Sequence, residues 1–235
     1  MDVCDKIPER CLRRVFVLSL LKWYNIHKRR FAWRDTKDPY RILIAEILLH
    51  RTDAEKANEI YHRFIGKCPT VYHLYNIEEQ EILNLIKNIG LFYRSRRLKI
   101  IAEQIVNQFK GKIPDQSKEL MSLQGVGKYI SNAIMCFAFV KRVPIVDTNI
   151  IRIFTRVFNI KSEKKRLHND KIMWTFAEHM LPKKSYVEYN YALLDFAANI
   201  CRAKKPLCNS CFLKNICKNP PFHLAPDFKL IVTNE

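Results

Sequence analysis

Apolar side chains recur every three or four residues along most of the chain, a spacing that places them on one face of a helix. Alternation of apolar and polar residues, which would indicate strands, never extends beyond a few positions. The pattern predicts an all-α protein with short polar or proline-bearing turns between the elements. The predicted helical segments are residues 9–25, 42–49, 53–64, 78–88, 94–109, 118–123, 127–139, 149–158, 169–180 and 187–201.

Composition supports a substantial helical core. Of the 235 residues, 48% are hydrophobic and only five are glycine, so the chain can fill one large domain or two small ones. After Cys217 the sequence continues with Asn219 and two prolines, which predicts an irregular tail over residues 219–235.

The charge of the chain indicates a polyanionic partner. The 41 Lys and Arg residues outnumber the 23 Asp and Glu residues and give a net charge of +18, which favours nucleic acid. A membrane surface is the rival partner, but no apolar stretch approaches the length of a spanning helix. A basic protein without either partner is the third interpretation. The N-terminus lacks the features of a secretory signal, so we expect an intracellular protein.

Four cysteines near the C-terminus have the spacing C-x6-C-x2-C-x5-C and can converge on one inorganic centre. Disulfides are typical of small secreted proteins and fit an intracellular chain poorly. Zinc prefers two close pairs of ligands, whereas four thiolates on longer arms suit a [4Fe-4S] cluster. The spacing favours the cluster and leaves zinc open. The candidate ligands are Cys201, Cys208, Cys211 and Cys217, and the other cysteines, Cys4, Cys11, Cys68 and Cys136, are expected to be buried apolar residues.

A glycine pair predicts a hairpin between two helices. Gly125, Val126 and Gly127 follow one predicted helix and precede another, so that backbone N–H groups at a helix N-terminus can bind a phosphate. A helix C-cap glycine followed by an ordinary turn explains the tripeptide equally well.

Asp147 follows an apolar approach and precedes the predicted helix at residues 149–158. Asp147 or Thr148 stands where a helix N-cap belongs, and capping alone would justify an aspartate there. A fixed carboxylate can also stabilise a cation on a sugar, and backbone N–H bonds would hold it ionised. The two roles are compatible.

Glu46 is the only charged residue in the apolar segment at residues 42–49. Desolvation there should raise its pKa and make it a proton donor near neutral pH. The alternatives are a solvent-facing glutamate and a buried one paired with Arg or Lys.

Together the hairpin, the segment around Asp147 and the cysteine loop resemble the helix-hairpin-helix DNA glycosylases of the endonuclease III superfamily. The resemblance covers residues 12–218, with the three motifs in the family's order. It implies a two-lobed fold: a six-helix barrel with the hairpin at residues 30–141, and a lobe of residues 1–29 and 142–218 that holds a [4Fe-4S] cluster. The substrate cleft would lie between the lobes. The implied partner is double-stranded DNA with a mismatched or damaged base, bound by a monomer in the cytoplasm or nucleoid.

The resemblance also implies catalytic roles. Asp147 matches the family's catalytic aspartate, which stabilises oxocarbenium character on the deoxyribose once the nucleotide has flipped out. Bifunctional members carry a Schiff-base lysine at the position of Tyr129. Lys128 is one residue earlier, and one residue turns a helical side chain by about 100°. We therefore expect a monofunctional enzyme without β-lyase activity.

DNA contacts are expected from the hairpin and from basic side chains nearby. The hairpin residues are Gly125, Val126, Gly127 and Lys128. Arg94, Arg96, Arg97 and Lys99 would hold flanking phosphates or would form a solvated helix face.

Residues 39–52 resemble the branch that contains MutY-type adenine glycosylases and G·T mismatch thymine glycosylases, in which Glu46 contacts the flipped base. MutY-type proteins generally carry a glutamine pair where this chain has His50 and Arg51, and Arg suits the acceptors of an unpaired guanine. The prediction is removal of thymine or uracil from G·T and G·U mismatches. The alternatives are a MutY-type enzyme that acts on A·8-oxoG or A·G, and a non-catalytic DNA-binding module.

Overall fold

The computed structural model describes residues 8–90, 92–160 and 170–219, and within these ranges the fold is helical and contains no strand. The all-α prediction is thereby confirmed. The helices are α1 (Arg10–His27), α2 (Pro39–Leu49), α3 (Ala54–Lys67), α4 (Val71–Asn76), α5 (Glu79–Ile86), α6 (Tyr93–Phe109), α7 (Ser117–Ser122), α8 (Lys128–Phe137), α9 (Thr148–Phe158), α10 (Lys171–Met180) and α11 (Tyr186–Asn199). None of the described helices is both long and apolar enough to cross a membrane.

The predicted segments match ten of these helices, and α4 is the one that the pattern missed. Its six residues span less than two turns, so the helical period is weak there; α7 is equally short, but the hairpin glycines that follow it mark its end in the sequence. Of the predicted tail, residues 220–235 lie outside the described part of the chain, as does residue 169 at the start of one predicted helix.

Contacts between helices divide the chain into two compact units. The hairpin unit comprises Lys28–Ile145 and Leu181–Asn190, and the cysteine unit comprises Met1–His27, Val146–Met180 and Tyr191–Glu235. The boundaries expected from the sequence and the six-helix barrel stay predictions.

In the hairpin unit, α2 is the central helix. It packs against α3 and α8, while α6 packs against α4 and α5 and α7 packs against α8. Asp38 caps the first turn of α2 by accepting hydrogen bonds from the N–H groups of Tyr40 and Arg41, at 2.8 and 3.3 Å, and Pro39 occupies the first helical position. The residues from Ile42 to Leu48 are all buried, so helical periodicity is absent where the helix is enclosed.

In the cysteine unit, four phenylalanines form an aromatic core. Phe154 and Phe176 meet edge to face with ring centroids 5.0 Å apart, and Phe16 meets Phe158 in the same way at 5.0 Å. These rings fix α9 against α1 and α10, because aromatic pairs in such geometry add to the stabilisation from buried area.

The cysteines without a predicted ligand role divide into two kinds. Cys68 and Cys136 are fully buried, as expected, and burial raises the pKa of Cys136 to about 11. Cys11 is exposed on α1, so the expectation of burial was wrong there; its helical position faces away from Phe16 and Leu20. Cys4 lies outside the described residues.

Candidate functional site

Glu46 lies in the middle of α2 and is 5% exposed, inside the hairpin unit. Its neighbours along the helix, Ala45 and Ile47, are buried as well. The interpretation of Glu46 as a solvent-facing residue is therefore excluded. A carboxyl in these surroundings is shielded from bulk water. The role of proton donor and the alternative of a buried glutamate paired with Arg or Lys both stay predictions.

The chain turns sharply after α2, at His50, Arg51 and Thr52. The N–H of Thr52 donates to the carbonyl of Leu49 at 3.0 Å, and Arg51 has a φ of 57°, in the left-handed region that residues other than glycine seldom adopt. We call residues 50–52 the α2 turn. His50 and Arg51 are both exposed there. Partial desolvation and then the charges of Arg97, Arg94 and Arg51 lower the pKa of His50, so its imidazole is neutral at neutral pH.

Arg94, on α6, donates hydrogen bonds to the α2 turn from the interior of the hairpin unit. Its Nη1 donates to the carbonyl of Leu48 at 3.2 Å and to the hydroxyl of Thr52 at 2.9 Å, and its Nη2 donates to the carbonyl of His50. The side chain has no solvent exposure. Carbonyls beyond the last turn of a helix lack intrahelical partners, and a buried guanidinium satisfies them here.

Three residues further along α6, Arg97 donates hydrogen bonds to the hairpin. Its Nε donates to the carbonyl of Gln124 at 3.2 Å, and its Nη2 donates to the carbonyl of Gly125. Gly125 has a φ of 72°, and any Cβ there would collide with this guanidinium. Glycine is required at this position on both counts. Gln104 completes the contact, since its Oε1 accepts from the N–H of Gln124 at 2.7 Å.

The hairpin leads directly into α8, for which Gly127 is the N-cap. Val126 is buried and Gly125 and Gly127 are exposed, so the backbone of the hairpin is accessible at the glycines. The first N–H groups of α8 have no acceptor within the helix and carry its positive dipole end. At this end Lys128 is exposed and Tyr129 is half-buried, in agreement with the expectation that adjacent side chains point in different directions.

The basic residues of α6 differ in part from their expected role as phosphate ligands. Arg94 cannot contact a phosphate because it is wholly buried, so that expectation was wrong. Arg97 donates to the hairpin carbonyls, and Nζ of Lys99 donates to the carbonyls of Tyr75 and Ile77 at the C-terminal end of α4. Arg96 is exposed, and its contact with DNA stays a prediction.

Asp147 belongs to the cysteine unit and caps α9. Its Oδ1 accepts a hydrogen bond from the N–H of Ile150 at 2.8 Å, and its Oδ2 accepts one from Nδ2 of Asn149 at 2.7 Å. The N-cap role expected from the sequence is thus present. Both carboxylate oxygens are held by donors, so the group has a fixed orientation.

Desolvation is the largest influence on Asp147 and raises its pKa above the ordinary value. The hydrogen bonds from Ile150 and Asn149 and the charge of Arg152 act in the opposite direction without outweighing it. The sequence expectation that N–H bonds would hold the group ionised identified the bonds but not the larger opposing effect. The anion of Asp147 is therefore weakly solvated, which strengthens its attraction for a nearby cation.

The four candidate ligands Cys201, Cys208, Cys211 and Cys217 line one cavity of about 300 Å³. Apolar residues, including Val157, Phe196 and Leu213, form much of the remaining wall. Burial raises the pKa of Cys211 to about 11, and the neighbouring thiols of Cys201, Cys217 and Cys208 contribute in the same direction. Among the described residues, no three His, Cys, Asp or Glu side chains are gathered closely enough to hold a single metal ion.

Two arginines of α9 connect this cavity to the rest of the cysteine unit. Arg156 donates to the carbonyls of Arg202 and Ala203 at 2.7 and 3.1 Å and approaches Sγ of Cys201 at 3.7 Å. Arg152 donates from Nε to the carbonyl of Cys201 at 2.9 Å and from Nη1 to Oδ1 of Asn149, also at 2.9 Å. Because Asn149 in turn binds Asp147, a continuous chain of hydrogen bonds joins the cysteine loop to the carboxylate.

The structure thus brings the predicted residues together in two groups. In the hairpin unit, α6 connects the α2 turn with the hairpin. In the cysteine unit, α9 connects Asp147 with the cysteine loop. Arg94, Arg152 and Asn149 were not singled out from the sequence as holding these groups together, because their acceptors are backbone carbonyls or a neighbouring amide, which leave no mark in the residue pattern.

Comparison with known proteins relates this chain to DNA glycosylases. Residues 44–178 match the family model described as HhH-GPD superfamily base excision DNA repair protein. The chain is 39% identical to a thymine/uracil-DNA glycosylase of Methanothermobacter thermautotrophicus, over 87% of this chain and 93% of that protein. It is 32% identical to an adenine DNA glycosylase of Buchnera aphidicola subsp. Baizongia pistaciae, over 87% of this chain and 58% of that protein.

A solved structure has the same fold. The structure of a thermostable thymine-DNA glycosylase superimposes with a TM-score of 0.83 at 38% identity, over 88% of this chain and 95% of that chain. The resemblance stated from the hairpin, the aspartate segment and the cysteine loop is therefore confirmed. The family model covers more than half of the residues, and the chain belongs to the HhH-GPD superfamily of base excision DNA repair proteins.

Proposed function

We propose that this protein is a monofunctional DNA glycosylase that flips thymine or uracil out of G·T and G·U mismatches and hydrolyses the N-glycosidic bond. It acts as a monomer on duplex DNA inside the cell. The observation that carries the proposal is the carboxylate of Asp147, held by hydrogen bonds from Ile150 and Asn149, in a chain that is 39% identical to a thymine/uracil-DNA glycosylase. A non-catalytic DNA-binding module would have no need for such a carboxylate, since leaving it weakly solvated costs stability.

Asp147 stabilises the transition state. Departure of the base leaves positive charge on C1′ and O4′ of the deoxyribose, and a carboxylate held by Ile150 and Asn149 needs no reorganisation to face that charge. Weak solvation strengthens the attraction. The same carboxylate orients the attacking water.

Glu46 and Tyr129 act on the leaving base. Departure of a pyrimidine places negative charge on its O2 and O4 atoms, which a buried carboxylic acid and a phenol can stabilise by donating hydrogen bonds. Glu46 is nearly inaccessible to water, and Tyr129 lies half-buried in the first turn of α8, directly after Lys128.

The base opposite the target is read by the α2 turn. Arg51 is exposed there, and a guanidinium can donate two hydrogen bonds to O6 and N7 of guanine. His50 is neutral beside it, so it adds a hydrogen-bonding group without adding a further charge. This pair differs from the glutamines of MutY-type enzymes and favours guanine as the opposite base. A mispaired pyrimidine is also easier to extrude than a paired one.

The cysteine cavity fits a [4Fe-4S] cluster held by Cys201, Cys208, Cys211 and Cys217. Four thiols line one space that is much larger than the roughly 30 Å³ of a water molecule, and four Cys thiolates are the usual ligand set of such a cluster. Burial raises the pKa of Cys211 and of Cys217, and a cationic centre would lower the pKa of both thiols by stabilising their thiolates. When bound, the cluster supplies cross-links within a loop that has little apolar material of its own.

A panel of matched duplexes tests the substrate. We expect single-turnover excision of thymine from G·T and of uracil from G·U, with slower or no release of adenine from A·8-oxoG and A·G. Alkali treatment of the products, followed by denaturing electrophoresis, measures each rate. Faster removal of adenine from A·8-oxoG than of pyrimidine from G·T would establish the MutY-type alternative, and no release from any duplex would establish a non-catalytic module.

The absence of lyase chemistry is a separate prediction. Because Tyr129 cannot form an imine and Lys128 is exposed on another side of α8, borohydride should trap no covalent adduct during uracil release, and strands should break only after alkali. Endonuclease III with an abasic duplex serves as the positive control for trapping. A trapped adduct that disappears in Lys128→Met would instead identify Lys128 as the nucleophile.

Asp147→Asn should lower the excision rate by roughly 10²- to 10³-fold, the usual effect of losing one electrostatic stabiliser, with DNA affinity retained. The matched control is Asp53→Asn, because Asp53 is also a helix N-cap: it caps α3 by accepting from the N–H groups of Glu55 and Lys56 at 3.0 and 3.4 Å. Asparagine caps helices as well as aspartate does. Equal excision rates for the two variants would reduce Asp147 to a helix cap.

The same substitution has a predicted effect on stability. Folding raises the pKa of Asp147, so the folded state binds the proton more tightly than the unfolded state, and the ionised carboxylate destabilises the fold at pH values above its folded pKa. Asp147→Asn should therefore raise the free energy of unfolding at pH 7, and this gain should shrink as the pH falls through the raised pKa of the folded state and vanish below the ordinary aspartate pKa. A loss of stability that is independent of pH would contradict the desolvated state of the carboxylate.

The cluster is tested by composition. Protein purified without oxygen should contain about four iron and four sulfide per chain. Cys208→Ser should reduce both and lower the melting temperature, whereas Cys11→Ser, which changes an exposed cysteine away from the cavity, should alter neither. Stoichiometric zinc without iron would replace the cluster assignment by a zinc site.

A further inference from the structure

Arg94 is an unusual residue in the hairpin unit, because its guanidinium is buried completely among neutral acceptors. The acceptors are the carbonyls of Leu48 and His50 and the hydroxyl of Thr52, and the phenol of Tyr93 also interacts with the guanidinium. Its Nε has no hydrogen-bond partner among the described residues. Placing a permanent cation in such a site is costly, and three neutral acceptors compensate only in part. A residue that served packing alone would not need the charge.

The acceptors of Arg94 lie on both sides of Arg51. Leu48 is near the end of α2, while His50 and Thr52 flank Arg51 in the chain. The three hydrogen bonds therefore clamp the two ends of a turn whose middle residue has the strained φ of 57°. Such strain persists only where the surroundings determine the conformation.

The hydrogen bonds from Arg94, which we call the clamp, determine the direction in which the Arg51 side chain points. Arg51 is exposed, and the direction of its side chain depends on the backbone that Arg94 holds. Arg97 also acts on His50, since its charge lowers the pKa of that imidazole, while its guanidinium binds the hairpin carbonyls. One helix, α6, thus binds both segments: Arg94 donates to the α2 turn and Arg97 donates to the hairpin. The two residues are three apart and therefore lie on the same face of the helix.

We propose that Arg94 is a positioning residue for recognition of the base opposite the target: it holds the α2 turn in the strained conformation that displays Arg51. This inference rests on the proposed function only in assigning Arg51 to the opposite base. Arg94 itself touches no DNA, because it is wholly buried. Its removal should change which opposite base is preferred rather than how strongly DNA in general is bound.

The experiment measures binding in the absence of any target base. Wild-type protein, Arg94→Lys and Lys99→Met are titrated with duplexes that carry a tetrahydrofuran abasic analogue opposite G, A, C, T or 8-oxoguanine, and the melting temperature of each protein is recorded. Lysine keeps the charge of Arg94 but cannot reach three acceptors at once. Lys99 is the matched control, since it also lies on α6 and binds two carbonyls at the C-terminal end of a helix, those of Tyr75 and Ile77.

We expect the wild-type protein to prefer guanine, and Arg94→Lys to lose about tenfold of that preference, the amount that one bidentate base contact supplies. Lys99→Met should keep the wild-type ratio of dissociation constants even where its melting temperature falls. A wild-type ratio in Arg94→Lys, an equal loss of affinity for every duplex, or no opposite-base preference in the wild-type protein would each overturn the proposal.

Thr52→Val is a second variant that tests the same hydrogen bonds if Arg94→Lys does not fold. Valine matches the shape of threonine and removes only the hydroxyl that accepts from Arg94, so a smaller loss of preference in the same direction is expected. An unchanged ratio in a folded Thr52→Val, together with an unfolded Arg94→Lys, would count against the clamp. A wild-type preference for 8-oxoguanine that Arg94→Lys abolishes would support the role of Arg94 while contradicting thymine and uracil as substrates, so the two proposals fail separately.

Discussion

Hydrogen bonds from cationic side chains to carbonyls in the last turns of helices or just after them hold the functional segments of this protein. Arg94 binds carbonyls at the end of α2, Arg97 binds those after α7, and Arg152 binds those of Ala197 and Cys201 at the end of α11. Helix C-termini carry partial negative charge and lack internal partners, so they attract cations as carboxylates do. In a chain with 41 basic and 23 acidic residues, such acceptors satisfy cations for which too few carboxylates are available.

Hydrogen bonding of cations to carbonyls allows this protein to be strongly basic and still satisfy its buried cations. An excess of positive charge attracts the phosphate backbone, but buried cations must find acceptors within the protein. Carbonyl acceptors leave the net charge unchanged, so the surface stays basic while the α2 turn, the hairpin and the cysteine loop become ordered. Asp147 is the counterpart, an anion that folding desolvates and that Asn149 and Ile150 hold in place. Desolvation of this anion lowers the stability of the fold, and such a loss is expected for a catalytic group that is held in place before the substrate binds.

Motifs made of side chains could be predicted from the sequence, whereas contacts made to the backbone could not. The hairpin glycines, Asp147 and the four cysteines are distinctive residue types at distinctive spacing, and helical periodicity gave ten of the eleven described helices. From the sequence, Arg94 and Lys99 were predicted to be phosphate ligands. The sequence gives only the residue type, and a basic residue can bind either a backbone carbonyl or DNA. The desolvation of Asp147 likewise depends on packing by distant segments. Cys11 faces solvent because its place on α1, not its residue type, decides its exposure.

Hydrogen–deuterium exchange of the wild-type protein, Arg97→Met and Arg152→Met tests most directly whether these cations order the functional segments. Amides in residues 122–129 should exchange faster in Arg97→Met, while those in residues 197–203 keep wild-type protection, and Arg152→Met should give the reverse pattern. Methionine keeps an unbranched apolar stem and removes the guanidinium with its donors and its charge. Wild-type protection of both segments in both variants would contradict the account, because the loops would then be ordered by packing alone.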